Sequence, residues 1–472
     1  MSTAEIEKVL GSIGETTPKS GSGSQERYDA VVIGAGLCGI IFLAYARAKG
    51  LRCVALDKQT DVGGLWSRLP AWQDIQNRRQ DIALDGVPLD GVDQPAMHRY
   101  TREWVRRFGL EPSIRLGREV AGVSRTDQGW MVRTKQGEAL QSDYLVVASG
   151  VQNEPWIPAV ERTDSEIEEN HSSDLHRPES LSGQRVTVVG GGASSQDLLE
   201  LAIRNGAKDI RWVYRKEVKW FLPTGREKQR AWPNLRELGL GQSVHGTKGA
   251  TLLMRGLLKL GYMRFRISEL APEEAFDFDK HQLIPGRAAL MRALKRVSRH
   301  RGEVRSIRGR ELTLSNGERF ETDRVLWATG YRMNLRYLGL REYDEIDGLA
   351  QLFPKLGSLV RSRDYPNLFF LGMTLINSTS STPFLAAVEA KTIISHMKGA
   401  CEIPERTLPH HLTYWDLIHY FASFDRLNYP RGWKIKSLWL CLWYAVLQNR
   451  GLRVGLNRVP GQVSPRVDSH VV

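Results

Sequence analysis

The chain contains few cysteines, and no motif is built on them. Cys38, Cys53, Cys401 and Cys441 form no CxxC pair in 472 residues. This argues against a disulfide framework, dithiol chemistry and a zinc site of the usual spacing. Two of the four belong to the first apolar strand–turn–strand unit, where a free thiol acts as a small buried hydrophobe. This cysteine usage is typical of a reducing compartment, so we expect a cytoplasmic location.

Other familiar signals are also missing. Residues 1–27 lack the apolar core of a signal peptide and end in a Ser/Gly-rich stretch, so we expect a mobile tail. No Ser/His/Asp arrangement and no metal-ligand spacing stands out, and His410–His411 fit a surface segment. The chain has no aromatic RNP-like strand and no concentrated basic helix of a DNA reader, which argues against a nucleic-acid partner.

Acidic residues are in the minority. The chain has 53 Asp and Glu against 66 Lys and Arg, which gives a net charge of +13. A basic protein favours anionic ligands such as dinucleotide phosphates, or an anionic membrane surface. Because 472 residues exceed what one hydrophobic core usually organises, we expect two or more domains.

The stretch YDAVVIGAGLCGI carries a G-x-G-x-x-G pattern between an apolar strand and an apolar helix, at Gly34, Gly36 and Gly39. In this βαβ context the first glycine allows a tight turn, the second lets a pyrophosphate approach and the third lets helix pack on strand. The helix N-terminus directs backbone N–H groups at the phosphates. The next strand ends at Asp57, placed to accept hydrogen bonds from a ribose, and Lys58 follows. The unit indicates an FAD-like site.

A second unit, RVTVVGGGASSQDLL, follows the same rules. Its turn contains Gly190 and Gly192, with Ser194 and then Ser195 at the place of the third glycine. Its second strand, DIRWVYRK, ends in cations at Arg215–Lys216 instead of an acid. Charge-assisted bonds to a 2′-phosphate contribute about 1.5–3 kcal/mol each, enough for an order of magnitude in preference for NADPH over NADH. The alternative is a solvated pair at a strand end. An FAD beside an NADPH indicates hydride transfer to flavin.

Five further motifs follow in an order that resembles one family. They are DVGGLW at Asp61–Trp66, ASGVQNEPWIP at Ala148–Pro158, YRKEVKWFLP at Tyr214–Pro223, DRVLWATGY at Asp323–Tyr331 and YPNLFFLGM at Tyr365–Met373. The chain thus resembles the class B flavoprotein monooxygenases, which include flavin-containing and Baeyer–Villiger monooxygenases. The resemblance runs from about Tyr28 to about Met397.

The resemblance implies an α/β fold with two Rossmann-like dinucleotide-binding domains and a helical C-terminal extension. The FAD domain would be discontinuous, at residues 28–152 and 323–400. The NADPH domain would lie between them at 153–322, with an insertion at about 224–303. A basic, Trp-rich extension would follow at 401–472.

The resemblance also assigns roles to residues. Asn77 would donate a hydrogen bond to a flavin C4a-(hydro)peroxide, where an amide suits a developing anionic oxygen better than a carboxylate. Its alternative is a turn-forming asparagine before Arg78–Arg79. Further FAD contacts would come from the motif residues Gly64, Leu65, Trp66, Val120, Gly150 and Gly372.

The chain departs from the family at the fingerprint before the second glycine turn. Ser165 and Ile167 replace the phenylalanine and glycine, while His171 is retained. This weakens a Baeyer–Villiger assignment. It makes His171 a candidate for supporting domain contacts, with an ordinary loop histidine as the alternative.

The C-terminal extension is basic and apolar. Residues 426–467 contain eight basic and no acidic residues. Within them KIKSLWLCLWYAVLQ places apolar side chains on one helical face and is too short to span a bilayer. It suits either a helix in a membrane surface or a buried helix over the substrate tunnel. Peripheral contact with the cytoplasmic membrane face and a homodimer are both compatible with the chain.

We therefore expect an FAD- and NADPH-dependent monooxygenase that transfers one atom of O2 to a lipophilic small molecule, at nitrogen or sulfur. Baeyer–Villiger oxygenation of a ketone is the alternative within the class. Outside it, the alternatives are an NADPH-dependent reductase of the quinone type and a membrane-associated flavoprotein that serves as a binding subunit.

Overall fold

The computed structural model describes most of the chain, which divides into two compact units. Unit 1 holds the described residues of Met1–Arg68, Asn77–Asn153 and Met333–Val472, and unit 2 those of Leu69–Gln76 and Glu154–Arg332. The described residues are 26–75, 82–215, 218–223, 248–277, 281, 283–284, 286–373, 382–406 and 420–428.

The strands and helices are numbered along the chain. The strands are β1 Arg27–Ile33, β2 Cys53–Leu56, β3 Ile114–Arg115, β4 Val120–Thr126, β5 Gly129–Thr134, β6 Ala139–Val147, β7 Glu154–Pro155, β8 Glu161–Thr163, β9 Glu168–His171, β10 Arg185–Val189, β11 Asp209–Tyr214, β12 Val297–Arg301, β13 Val304–Arg308, β14 Glu311–Leu314, β15 Arg319–Glu321, β16 Arg324–Trp327, β17 Tyr331–Arg332, β18 Leu356–Gly357, β19 Arg361–Ser362 and β20 Leu368–Phe370. The helices are α1 Leu37–Ala48, α2 Gln94–Arg107, α3 Ala193–Arg204, α4 Lys248–Phe265, α5 Ala288–Ala293, α6 Leu349–Leu352 and α7 Thr382–Met397.

Unit 1 is built on a sheet in which nine of the described strands pair, in the order β18-β19-β20-β6-β1-β2-β3, with β5 on β6 and β4 on β5. β1 pairs in parallel with β2 on one side and with β6 on the other. Its residues Ala30–Val32 are fully buried, as the continuous apolar sequence of a parallel strand covered on both faces predicts. The carboxyl end of β1 therefore lies where the strand order changes direction, the place at which open α/β sheets bind ligands.

Unit 2 repeats this arrangement on a smaller scale. Its five-stranded sheet has the order β12-β11-β10-β16-β9 and is parallel throughout. β10 lies between β11 and β16, as β1 lies between β2 and β6. The same unit contains a sheet of β15, β14, β13 and β8 and a two-stranded ribbon of β17 and β7. The glycine turns that follow β1 and β10 thus occupy equivalent positions in two parallel sheets.

The fold class predicted from the sequence, with two Rossmann-like units, is confirmed. Of the C-terminal extension, residues 420–424 are helical. The apolar segment at 434–448 and the tail at 1–25 lie outside the described residues. No helix of the described residues combines the length and apolar character needed to cross a bilayer.

Candidate functional site: two dinucleotide turns

The first glycine turn is packed so closely that two of its glycines are required by geometry. Gly34 has φ +112°, and a Cβ built there would lie 2.6 Å from the carbonyl oxygen of Ala148, in the turn after β6. A Cβ on Gly39 would lie 2.1 Å from the carbonyl oxygen of Gly34. Atoms at such distances overlap. The turn after β6 and helix α1 can therefore approach the first glycine turn this closely only because these side chains are absent. This agrees with the turn and packing roles expected of the two residues.

Asp57 organises this turn from the end of β2. Its carboxylate accepts hydrogen bonds from the backbone N–H of Ala35 at 2.7 Å and of Gln59 at 2.8 Å. Burial raises the pKa of Asp57 while these hydrogen bonds oppose the shift. The carboxylate thus fixes the shape of the phosphate turn. Its contact with a ribose stays a prediction, as does any cofactor contact of the exposed Lys58 beside it.

The GG-x-W stretch lies against the first turn. Gly63 donates its N–H to the carbonyl oxygen of Ala35 at 3.0 Å, and the same residue forms a parallel bridge with Gly36. Gly64 has φ +56°, and a Cβ on it would lie 3.1 Å from the Cα of Gly36. The short 3₁₀ helix Gly64–Ser67 then carries Leu65 and Trp66, both partly exposed. The proposed FAD contacts Gly64, Leu65 and Trp66 are therefore held beside the turn that contains Gly34 and Gly36.

Gly372 closes on the same turn from the C-terminal part of unit 1. It has φ +69°, and a Cβ built on it would lie 2.5 Å from the sulfur of Cys38, in the first turn of α1. Its N–H donates to a carboxylate oxygen of Glu389, a fully buried residue of α7, at 2.7 Å. Sequence reasoning missed Glu389. The signal was a single acid in the apolar run FLAAVEAKTII.

Two further predicted FAD residues occupy different surroundings. Gly150 has φ +80° and lies two residues after Ala148, with no atom within 4 Å of a Cβ built on it. Val120 begins β4, pairs with Thr134 and is 4% exposed. Gly150 therefore leaves open space at the turn, whereas Val120 is a buried residue at the start of a partly exposed strand.

The two glycines of the second turn have different surroundings. Gly190 has φ +138°, and a Cβ on it would lie 2.3 Å from the carbonyl oxygen of Ala328. Gly192, in contrast, has no atom within 4 Å of its Cβ position. Ser195 is fully buried and its hydroxyl donates to the carbonyl oxygen of Gly192 at 2.6 Å, while Ser194 is half-buried. The space beside Gly192 is what a pyrophosphate at the start of α3 requires.

The turn after β16 is the counterpart of the turn after β6. Ala328 stands against Gly190 in unit 2 as Ala148 stands against Gly34 in unit 1, and each is followed by a hydroxyl residue and a glycine of φ +85° or +80°. The resemblance places ATG at 328–330 in the second part of the FAD domain, and its position beside the second glycine turn was not predicted. The repeated pattern ASG/ATG was the available signal.

His171 supports this second crevice from within unit 2. It ends β9, is 1% exposed, and its Nε2 lies 2.9 Å from the carbonyl oxygen of Gly330. Its Nδ1 lies 2.9 Å from the hydroxyl of Ser173, and its ring meets the ring of Tyr331 edge-on at 5.0 Å. Burial lowers the pKa of His171. The alternative of an ordinary loop histidine is wrong, because the ring is a buried link between β9 and the turn after β16.

Arg215 follows directly after β11, where the second strand of a dinucleotide unit presents its specificity residue. Its side chain is 71% exposed, and its Nη1 lies 3.6 Å from a carboxylate oxygen of Glu303. A long ion pair between exposed side chains contributes little, so Arg215 can turn to a phosphate at small cost. Lys216 and the catalytic candidate Asn77 lie outside the described residues, and both assignments stay predictions.

Both helix N-termini fit a pyrophosphate. α1 and α3 each begin after a glycine, and neither has a side-chain cap or an acidic residue in its first turn. The backbone N–H groups of a first helical turn need a partner, and a bound diphosphate supplies one. The residues present therefore fit two dinucleotides, one in each unit. No group of three or more His, Cys, Asp or Glu in the described part of the chain could hold a metal ion.

Comparison with known proteins agrees with this geometry. Residues 31–224 match the family described as pyridine nucleotide-disulphide oxidoreductase. The monooxygenase aurF of Gibberella zeae is 24% identical over 410 residues, which cover 72% of each chain. The phenazine N-monooxygenase PhzNO1 of Lysobacter antibioticus is 28% identical over 267 residues, 53% of this chain and 48% of that protein.

A solved structure shows the shared fold. The crystal structure of OTEMO in complex with FAD and NADP superposes with a TM-score of 0.64 at 16% identity, over 80% of this chain and 86% of that one. Together the comparisons confirm the predicted resemblance to flavin-dependent monooxygenases, an oxidoreductase class that uses FAD and NADP(H) and incorporates one oxygen atom.

Proposed function

We propose that this protein is an FAD- and NADPH-dependent monooxygenase that transfers one atom of O2 to the nitrogen or sulfur of a lipophilic small molecule. FAD binds in unit 1, at the turn of Gly34–Gly39, and NADPH in unit 2, at the turn of Gly190–Ser195. The observation that carries the proposal is that one chain holds two glycine turns at equivalent switch points. The second strand of the first unit is followed by an acid, Asp57, and that of the second unit by a cation, Arg215.

A bound FAD would supply an acceptor for a hydride from NADPH and the group that activates dioxygen. The residues of the chain bind and orient the two cofactors. Asp57 fixes the first turn, Gly63 and Gly372 hold their segments against it, and the open Gly192 admits the nicotinamide dinucleotide. Arg215 pairs with the 2′-phosphate, and Asn77 is the proposed amide beside the reacting oxygen.

The sequence fingerprint before the second glycine turn favours attack at nitrogen or sulfur over oxygenation of a ketone. The residues that precede the second turn are Ser165 and Ile167 where the Baeyer–Villiger pattern has phenylalanine and glycine. PhzNO1, which is named an N-monooxygenase, is a relative. The quinone-type reductase remains the contrasting hypothesis, because it would use the same two cofactors without oxygen transfer.

Mass spectrometry with labelled oxygen tests the proposal. Purified protein is given NADPH and ¹⁸O2 with a panel of lipophilic tertiary amines, thioethers and ketones. We expect N-oxides or sulfoxides that carry one ¹⁸O atom. Labelled esters from the ketones would instead show Baeyer–Villiger oxygenation. NADPH consumption with quinones under nitrogen and no labelled product in air would identify a reductase.

A further inference from the structure

Helix α4 has two apolar faces, and only one of them is buried. Met254, Leu258 and Tyr262 are 5%, 1% and 2% exposed and belong to the core of unit 2. On the rest of the helix five large apolar side chains are exposed, namely Leu252 at 69%, Leu253 at 56%, Leu257 at 48%, Leu260 at 65% and Met263 at 56%.

These five side chains form one continuous stripe, which we call the α4 stripe. At 100° per residue they fall within an arc of about 140° on the side opposite the buried residues. Gly249 and Gly256 lie in the same arc, and a Cβ built on either meets no atom within 4 Å. The described part of the chain therefore leaves the middle of the α4 stripe uncovered.

The α4 stripe is unusual for this molecule. Within the described residues, seven large hydrophobic side chains are exposed, and the other two, Ile157 and Leu427, are isolated at 39% and 47%. Scattered apolar side chains need no explanation, whereas a contiguous patch marks an interaction surface.

The charges around the stripe identify what it fits. From Lys248 to Arg266 the sequence contains five cations and no acid. By the same helical geometry the exposed Lys259 lies about 20° outside one edge of the stripe, and the exposed Arg264 lies about 20° inside the other edge. An apolar stripe with basic flanks is typical of a helix that lies in a membrane surface.

Two other occupants would bring charge of the same sign. The chain segment 426–467 contains eight basic and no acidic residues, and a second copy of α4 would bring the same five cations. An anionic lipid surface is complementary to both the charge and the apolar stripe. We propose that α4 docks the protein on the surface of an anionic lipid bilayer, with the leucines at the acyl boundary and Lys259 and Arg264 among the headgroups. This inference does not depend on the proposed catalytic function.

Vesicle co-sedimentation of the full-length protein tests it. The vesicles contain phosphatidylcholine alone, or phosphatidylcholine and phosphatidylglycerol in equal parts. We expect binding to the anionic vesicles that weakens as salt is added. A triple variant carries Leu253→Gln, Leu257→Gln and Leu260→Gln. It should bind the vesicles at least tenfold more weakly, because the loss of one leucine partly buried in the lipid already corresponds to about a tenfold change in affinity. The double variant Lys259→Gln, Arg264→Gln should lose the preference for anionic vesicles.

The matched control is Ile157→Gln, which removes an exposed apolar side chain elsewhere and should bind like the unsubstituted protein. Thermal unfolding of each variant checks that it is folded. We expect each variant to fold, because none of the substituted side chains is buried. Equal binding by the triple variant would overturn the proposal and assign the membrane contact to another segment. Absence of binding by the unsubstituted protein would also overturn it. A triple variant that changes only from dimer to monomer would show a copy-to-copy interface instead.

Discussion

Gly190 and Gly192 stand two residues apart in one turn and meet different surroundings. A Cβ on Gly190 would overlap the backbone of Ala328, at a φ of +138° that side chains rarely adopt, whereas a Cβ on Gly192 meets only open space. Gly190→Ala should therefore destabilise unit 2 by about 2 kcal/mol or more. Gly192→Ala should leave the unfolding temperature unchanged and weaken NADPH binding at least tenfold, because its methyl group occupies the pyrophosphate space.

Thermal unfolding and NADPH titration of the two variants separate these roles. Gly183→Ala is the control for backbone strain alone, because Gly183 has φ +71° and a Cβ built on it meets no atom within 4 Å. If Gly192→Ala binds NADPH as the unsubstituted protein does, the diphosphate does not lie at the start of α3.

Arg215 is the residue on which the choice between NADPH and NADH depends. Its exposed guanidinium forms a long ion pair with Glu303, and its charge suits a 2′-phosphate. Arg215→Ala should raise the KM for NADPH about tenfold or more and leave that for NADH nearly unchanged. Glu303→Gln is the control, since it removes the ion pair and keeps the guanidinium. Equal losses for both coenzymes would remove Arg215 from the phosphate site.

At the scale of elements, β9 is joined to the turn after β16 by a buried histidine. The pKa of His171 is lowered by burial from its ordinary value of 6.5. The folded protein thus keeps the ring neutral at pH values where the unfolded chain takes up a proton. The stabilisation is present above about pH 6.5 and is lost as pH falls below it.

We expect the unfolding temperature to fall between pH 7.5 and pH 5.5, and to fall less in His171→Gln, in which position 171 no longer titrates. The comparison uses the difference between the two proteins at each pH, so that other titrating groups cancel. The same pH dependence in both proteins would show that His171 does not sense pH.

Helix α3 is anchored by an ion pair whose arginine is fully buried. Arg287, which precedes α5, is fully buried and pairs with Asp197 of α3, with Glu200 at 3.8 Å from its Nε. Burial raises the pKa of Asp197 to about 6, although the guanidinium opposes the shift. Asp197→Ala would leave the guanidinium without this carboxylate and should cost about 3 kcal/mol of stability.

Denaturant unfolding measures this cost. The control is Arg310→Ala, which removes a largely exposed ion pair with Glu166 and a longer one with Asp323, and should change stability by less than about 1 kcal/mol. Equal effects of the two substitutions would contradict an anchoring role for the Arg287–Asp197 pair.

The same elements show how far sequence reasoning reaches. The β1–α1 and β10–α3 units were predictable because their signals are local: an apolar β-branched run, glycines at fixed spacing and an apolar helix. Glu389 and Ala328 were not, because they meet Gly372 and Gly190 only after folding, across 17 and 138 residues of chain. The hydrogen bonds of Asp57 with Ala35 and Gln59 were also missed. An acid that binds a ribose and an acid that shapes the turn occupy the same position in the sequence, so the sequence pattern does not distinguish them.

At the scale of the whole molecule, the account depends on two cofactors that react with each other on one chain. The proposed domains assign FAD to unit 1 and NADPH to unit 2, and the basic charge of +13 suits both ligands. A lipophilic substrate agrees with the proposed contact of α4 with a lipid surface, where such compounds concentrate.

The most direct test follows the colour of the protein in a stopped-flow spectrometer. Protein reconstituted with FAD is mixed with NADPH in the absence of oxygen, and oxygenated buffer is then added. We expect the blue absorbance of bound flavin to bleach at a catalytic rate. It then returns through a transient species distinct from oxidised and reduced flavin. A protein that binds no FAD, or whose bound flavin stays yellow after NADPH is added, would contradict the central claim.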